Sequence, residues 1–267
     1  MIKLFHGVGK TRHLICINDK IVIPKTLQRR VVEWYHNHLC HPGTTRTELT
    51  IKQHFTWLNL RETVKNVCSK CSICQTTKRI DPKYGKLPPK TSKDIEDKPW
   101  ETLCVDLIGP YTIQQPNNKI CELWAVTMID PATSWFELKQ ISSKRADHVA
   151  NAVEIAWLTR YPWPTNIVLD RGKEFMAEFT TMVQKDYGIK KKPITTRNPQ
   201  ANSILERIHG TIGNMIRTFK IQETELDSED PWSGFLVAVM FATRATVHTT
   251  LQKTPIQLVF GRDVMLN

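Results

Sequence analysis

Two groups of residues in this 267-residue chain have the types and spacing for chemistry. The first lies in "YHNHLCHPG" and "CSKCSIC", which supply His36, His38, Cys40, His41, Cys68, Cys71 and Cys74. Zinc takes four nitrogen or sulfur ligands in a tetrahedron, and two cysteines two residues apart fit one edge of it. A pair of histidines at a helix end fits another. His36 and His41 straddle the predicted end of a helix. Cys71 with Cys74 and Cys68 with Cys71 are equally well spaced, so spacing leaves the ligand set open. Two pairs from distant segments would staple three short helices that bury little surface by themselves.

The second group is three acids: Asp106 in "CVDLIGP", Asp170 in "NIVLD" and Glu206 in "ILERIHG". Clustered carboxylates repel one another and do not all stay ionised without a partner. A divalent cation with an oxygen preference removes that penalty, and Mg²⁺ held by carboxylates is a common phosphoryl-transfer arrangement. Two such ions can activate an attacking oxygen and stabilise the leaving one. Asp130 and Glu174 compete for the same role. Taken singly, a strand-end Asp is more often a turn cap.

The elements around them decide whether the acids can meet. "TLCVDLIGP", "LWAVTMID" and "SWFELKQI" read as three strands, "NIVLD" as a fourth and "IKKKPITT" as a fifth. "ADHVANAVEIAWLTRY", "KEFMAEFTTMVQKDYG", "ILERIHGTIGNMIRTFK" and "WSGFLVAVMFATRATVH" read as helices, with Trp157, Phe235 and Phe241 as core. That order is a mixed α/β layer fold. If the first and fourth strands are neighbours, Asp106 and Asp170 emerge side by side and the helix brings Glu206 across. His209 lies three residues after Glu206, on nearly the same helix face, where it either tunes the metal site or only packs, and packing is the favoured reading. Ahead of the core, "HLICINDKIVIP" reads as two short strands and three helices follow: "KTLQRRVVEWYHNH", "TTRTELTIKQHF" and "NLRETVKNVCSKC".

The net charge of +11 is unevenly placed. Residues 1–98 hold 19 Lys/Arg against 8 Asp/Glu, and residues 99–267 hold 18 of each. A basic arm beside a neutral domain points to a polyanion, and nucleic acid is the expected one. There is no apolar run of roughly 18 residues to span a membrane. The N-terminus carries no signal-peptide apolar stretch, so secretion is not expected. Seven cysteines, three of them crowded together, suggest thiol or metal chemistry in a reducing compartment.

"CVDLIGP", "LDRGKEF" and "NPQANSILERIHGTIGNMIRT", in that order, resemble the core of the retroviral-type integrases, with 35 residues between Asp170 and Glu206. "YHNHLCHPGTTRTELTIKQHFTWLNLRETVKNVCSKCSICQTTK" is similar to that family's HHCC zinc domain, and "YGKLPP" and "TPIQLVFGRD" also look like it. The likeness is greatest to integrases of gypsy-type LTR retrotransposons. It implies a ribonuclease-H-like α/β core, a five-stranded mixed sheet flanked by helices, behind a small helical zinc-binding domain. The expected division is an N-terminal extension with short strands at 1–25, the zinc domain at 26–75, a basic Pro-rich linker at 76–99 and the catalytic core at 100–267. The resemblance assigns structural Zn²⁺ to His36, His41, Cys71 and Cys74, and catalytic Mg²⁺ or Mn²⁺ to Asp106, Asp170 and Glu206. It implies two transesterifications: water trims cDNA 3′ ends, and the freed hydroxyls attack target DNA. Lys173, Gln200, Asn202 and Arg207 are expected DNA contacts. The run Lys190, Lys191 and Lys192 suits phosphate or plain solvation equally.

The expected partners are the element's cDNA ends, target DNA and further copies of the same chain. The expected location is the host nucleus, after a stage in a cytoplasmic particle. Members of the family usually carry a further C-terminal DNA-binding domain, often SH3-like, whereas this sequence stops at "GRDVMLN". The expectation is a piece of a polyprotein, a degraded copy or a host-adopted gene. The rival reading is a non-catalytic DNA-binding protein on an integrase scaffold. A ribonuclease H or a cut-and-paste transposase is a third, disfavoured by the zinc domain and by the 35-residue spacing.

Overall fold

The computed structural model describes residues 2–7, 10–77, 98–114, 120–169, 172, 175, 178–193, 209–218, 230 and 232–264. They form two compact units. The first holds the described residues up to 77 together with those from 241 to 264; the second holds those between 98 and 240. Most of the expected linker at 76–99 falls outside the described residues.

In the first unit, β1 (Ile2–Gly7) and β2 (Lys10–Ile17) form an antiparallel hairpin. The sheet continues through β3 (Lys20–Val22) to β4 (Phe55–Thr56), in the order β1-β2-β3-β4. The turn between β2 and β3 places Asn18 and Asp19 at positive φ, a conformation their short polar side chains tolerate. Four helices follow the pattern of buried positions: α1 (Lys25–His38), α2 (Thr44–Ile51), α3 (Leu60–Lys70) and α4 (Ser72–Thr77). On α1, Val32, Tyr35 and His36 recur at three- and four-residue spacing and face inward. On α3, Leu60, Val64 and Cys68 do the same at four-residue spacing.

The segment expected to form one long helix from Thr44 to Phe55 stops instead at Ile51. Phe55 and Thr56 pair with Ile21 and Val22, an extended ladder that a continuing helix cannot supply. The C-terminal residues of this unit are tied to the same helices. Thr50 Oγ1 accepts from the Val247 amide at 3.0 Å, and Asp263 Oδ2 lies 3.1 Å from His54 Nε2. Just before it, α9 (Pro255–Phe260) opens with a capping box between Thr254 and Gln257 and Pro255 in its first turn.

The second unit is a five-stranded mixed sheet in the order β7-β6-β5-β8-β9. The strands are β5 (Thr102–Gln114), β6 (Ile120–Ile129), β7 (Phe136–Ile141), β8 (Asn166–Leu169) and β9 (Lys190–Pro193). β5, β6 and β7 are antiparallel neighbours, while β8 and β9 join in parallel. β5 is the central strand. Thr102, Leu103, Cys104 and Val105 are all buried, so both of its faces are covered, as expected at the middle of a layered sheet.

The covering helices are α5 (Ala146–Val153) with a π-helical turn at Glu154–Leu158, α6 (Glu178–Thr181) with another at Met182–Asp186, α7 (described over 209–218) and α8 (Ser233–Ala245). They bury Val149, Val153, Trp157, Phe179, Val183 and Ile212. Each large apolar side chain fully removed from water contributes on the order of 1.5–3 kcal/mol. Phe241, expected in the core, is 39% exposed instead. The buried stripe of α8 runs through Phe235, Val239 and Ala242; Phe241 is two residues past Val239 and so points away from it.

One irregularity lies beside the candidate acid on β5. The β5–β6 register shifts between Ile108 and Tyr111, a bulge that bends the strand just beyond Asp106. Gly109 sits there at φ +119°, and a Cβ on it would meet Leu123 O at 2.4 Å. Only glycine fits both the conformation and the approach.

Candidate functional site

Four of the seven zinc candidates converge. The ligand atoms of His36, His41, Cys71 and Cys74 all lie within 4.8 Å of one another. His36 comes from the last turn of α1, Cys71 from the C-terminal end of α3 and Cys74 from α4. His41 is returned toward α1 by two successive left-handed residues, Cys40 at φ 56° and His41 at φ 58°. The His41 amide donates to the His36 carbonyl at 2.7 Å and closes that turn.

The separations match one tetrahedral ion. Zn–N of about 2.0–2.1 Å and Zn–S of about 2.3 Å imply nitrogen–sulfur edges of roughly 3.5 Å. Cys71 Sγ lies 3.4 Å from His41 Nδ1, and Cys74 Sγ lies 3.2 Å from His36 Nε2 and 3.7 Å from His41 Nδ1. Three of the four residues are buried and Cys71 is partly so. Four inward-facing nitrogen and sulfur donors leave no open coordination position. That closed set suits a structural zinc ion.

The other three candidates stand elsewhere. His38 is exposed, stacks on Trp34 with ring centroids 4.4 Å apart, and its Nδ1 lies 3.0 Å from the Trp34 carbonyl. Cys40 is buried, burial pushes its thiol up to about 11, and its sulfur is not among the converging ligand atoms. Cys68 faces the far side of the His36 ring, with Sγ 3.6 Å from Nδ1.

Of the three candidate catalytic acids, Asp106 is described. Asp170 and Glu206 lie outside the described residues, as do Glu174 and the expected DNA contacts Lys173, Gln200, Asn202 and Arg207. Asp106 sits on central β5, partly exposed, and its Oδ1 accepts from the Leu107 amide at 2.8 Å. Its Oδ2 lies 3.7 Å from His209 Nδ1 on α7. Thr127, opposite Asp106 on β6, donates its hydroxyl proton to the Asp106 carbonyl at 3.1 Å. Thr127 Oγ1 is also 3.0 Å from His209 Nε2. With the Thr127 proton already used, that oxygen accepts from Nε2–H, and the Nδ1 lone pair is left on the Asp106 side. Burial drops His209 to about 4, so its ring is neutral at neutral pH. The sequence left His209 between tuning the metal site and only packing, with packing favoured, and its place three residues after Glu206 was the sign that kept the closer role open.

Two other candidates have structural duties. Asp130 is fully buried at the end of β6. Its carboxylate accepts from the Ala132 amide at 3.2 Å, and from the Thr133 amide at 3.3 Å and hydroxyl at 2.6 Å. Burial raises its pKa while those hydrogen bonds oppose the rise. It is a turn cap. Lys191 points inward, with Nζ donating to Thr180 Oγ1 at 3.0 Å and to the Phe175 carbonyl. Burial lowers its pKa. Lys190 and Lys192, on either side of it along β9, are exposed.

Comparison with known proteins points the same way for both units. The family described as the integrase zinc binding domain matches residues 23–80, which include all four converging ligands. The Retrovirus-related Pol polyprotein from transposon 412 of Drosophila melanogaster is 29% identical over 222 residues, covering 83% of this chain and 17% of that protein. Gypsy retrotransposon integrase-like protein 1 of Pongo abelii is 25% identical over 266 residues, covering 98% of this chain and 47% of that protein. The chain thus spans about half or less of the length of these curated relatives. A chain in the cryo-EM structure of a simian T-cell lymphotropic virus intasome aligns with a TM-score of 0.57 at 13% identity, covering 88% of this chain and 75% of that one. At that identity the likeness is one of fold.

Proposed function

We propose that this chain, which matches the integrase zinc binding domain over residues 23–80 and resembles Pol polyproteins and gypsy integrase-like proteins along most of its length, is a retroviral-type integrase of the LTR-retrotransposon kind that trims the 3′ ends of a retroelement cDNA and joins them to target DNA. The carrying observation is the β5–β8 register. Thr102, Leu103 and Cys104 pair in parallel with Asn166, Ile167 and Val168. Asp106 is two residues past Cys104, and Asp170 is two residues past Val168. If that register held two residues further, it would bring the two carboxylates to one edge of the sheet centre. Glu206 is three residues before His209 in sequence, and His209 stands against Asp106.

Asp106, Asp170 and Glu206 would hold Mg²⁺ or Mn²⁺, which supplies charge stabilisation to the attacking and leaving oxygens of a phosphodiester. The acids need not become nucleophiles. The attacking group is water in the first step and the DNA 3′ hydroxyl in the second. In each, the new P–O bond forms as the old one breaks, and the leaving 3′ oxygen ends as a hydroxyl. No Ser or Cys nucleophile is required. The basic first third, with Lys173, Gln200, Asn202 and Arg207, would carry the DNA backbone. DNA ends, target DNA and further copies of the chain are the proposed partners, and the nucleus is the proposed place of action.

The test is a strand-transfer assay with oligonucleotide cDNA ends in Mg²⁺ or Mn²⁺. Joined products that depend on the divalent ion are expected. DNA binding without any trimming or joining would overturn the enzymatic reading in favour of a binding protein on the same scaffold.

A further inference from the structure

Imidazole coordinates a metal through one nitrogen while the other carries hydrogen, and the partner of that second nitrogen decides which is which. His36 turns Nε2 toward the zinc-binding cluster, where Cys74 Sγ lies 3.2 Å away. Its Nδ1 points to the opposite side and meets Cys68 Sγ at 3.6 Å. His36 is 1% exposed and Cys68 9% exposed, so water does not compete readily for either group. A sulfur at this distance accepts a long hydrogen bond from a ring N–H. We infer that Cys68 is a positioning residue of the zinc centre: it accepts the Nδ1–H of His36 and thereby keeps Nε2 deprotonated and aimed at the metal.

The placement follows from helix geometry. Leu60, Val64 and Cys68 share the buried face of α3, and the cysteine ends that stripe under α1. Cys71 lies three residues later, at the end of the same helix. The triplet Cys68, Cys71 and Cys74 therefore divides its labour. The last two face the ion, and the first faces the ligand behind it. Cys68 cannot exchange into the ligand set while His36 stays in it, because the two ring nitrogens point in widely divergent directions.

This inference rests on the zinc reading of the cluster, and the experiment separates the two. Full-length wild type, Cys68→Ala and Cys68→Ser are compared for Zn²⁺ affinity by chelator competition and for the visible spectrum with Co²⁺ in place of zinc. Loss of an outer partner costs roughly 10–100-fold in affinity. That weakening is expected in Cys68→Ala, with much of it restored by the hydroxyl acceptor in Cys68→Ser. The thiolate-to-cobalt absorption should keep its two-thiolate intensity in both variants. Equal zinc affinity in Cys68→Ala and wild type overturns the inference and leaves the zinc site standing. Loss of one thiolate's worth of cobalt absorption overturns it too, making Cys68 a ligand. A wild type that binds no zinc overturns both. Circular dichroism of the zinc-loaded variants distinguishes weakened binding from failure to fold.

Discussion

His209 Nδ1 faces Asp106 Oδ2 at 3.7 Å, from a helix onto the central strand of the sheet. Thr127 ties the pair together, bonded to the Asp106 carbonyl and to His209 Nε2. Burial holds His209 to about 4, against an ordinary value of 6.5. Its folded-state pKa is therefore depressed, and the unfolded chain takes up the proton first. The stability gained from keeping the ring neutral is fully present above about pH 6.5 and is lost as pH falls toward 4. At about 1.4 kcal/mol per unit, the loss is on the order of 3 kcal/mol at most. The stability difference between wild type and His209→Gln should shrink steadily as pH is lowered through that window. A difference that stays constant from pH 7 to 4 would remove the buried neutral histidine from the picture.

Replacing either strand acid should separate chemistry from binding. Asp106→Asn and Asp170→Asn each keep the size of the side chain and remove a charge proposed to hold the divalent ion. Strand transfer should fall by several orders of magnitude, while DNA affinity, which rests on basic residues, changes little. Parallel titrations of binding and joining decide it. Loss of both together would take the metal-holding role away from these acids.

Zinc should govern the first unit alone. Chelation, or Cys74→Ser, is expected to melt the helices between His36 and Cys74 while the five-stranded sheet persists. The effect should reach the far end of the sequence, because the Val247 amide is bonded to Thr50 Oγ1 on α2. Hydrogen exchange read peptide by peptide should show Val247 losing protection together with α2, and β5 and β6 keeping theirs. Protection at Val247 that survives full zinc removal would contradict this coupling.

Gly109→Ala tests the bend beside Asp106. The new Cβ would stand 2.4 Å from the Leu123 carbonyl at a φ of +119°. Strain of this kind costs about 1–3 kcal/mol at one residue, and the clash with backbone adds to it. A clear drop in the unfolding midpoint is expected, along with weaker divalent-dependent activity as β5 shifts at Asp106. An unchanged midpoint would mean that the bulge has another backbone solution.

Much of the fold was legible because local patterns carry it. The strands around "CVDLIGP", "LWAVTMID" and "NIVLD" and the helix over "RRVVEWYHNH" stand where apolar spacing puts them. Irregular details were not. The helix ending at Ile51 stops because Phe55 and Thr56 pair with a strand more than 30 residues earlier, and no local propensity encodes that partner. Phe241 read as core because a helix wheel cannot tell which stripe a neighbour will cover.

The sequence by itself determined the chemical inventory: paired His and Cys of zinc-binding types, three acids at fixed separations, and a basic first third. Those are properties of residue identity and spacing along the chain. Tertiary structure decided which members of the inventory work together. Seven zinc candidates became four because left-handed residues at Cys40 and His41 fold the second histidine back onto the first. Asp130 became a turn cap because it is buried among its own turn's donors, and Lys191 became a half-buried donor because Thr180 and Phe175 lie within its reach. His209, left between packing and tuning the acids by its spacing alone, stands beside Asp106 because α7 meets the sheet at that strand. Distance in space depends on strand register and helix docking, and these are set by long-range packing that spacing in the sequence does not record.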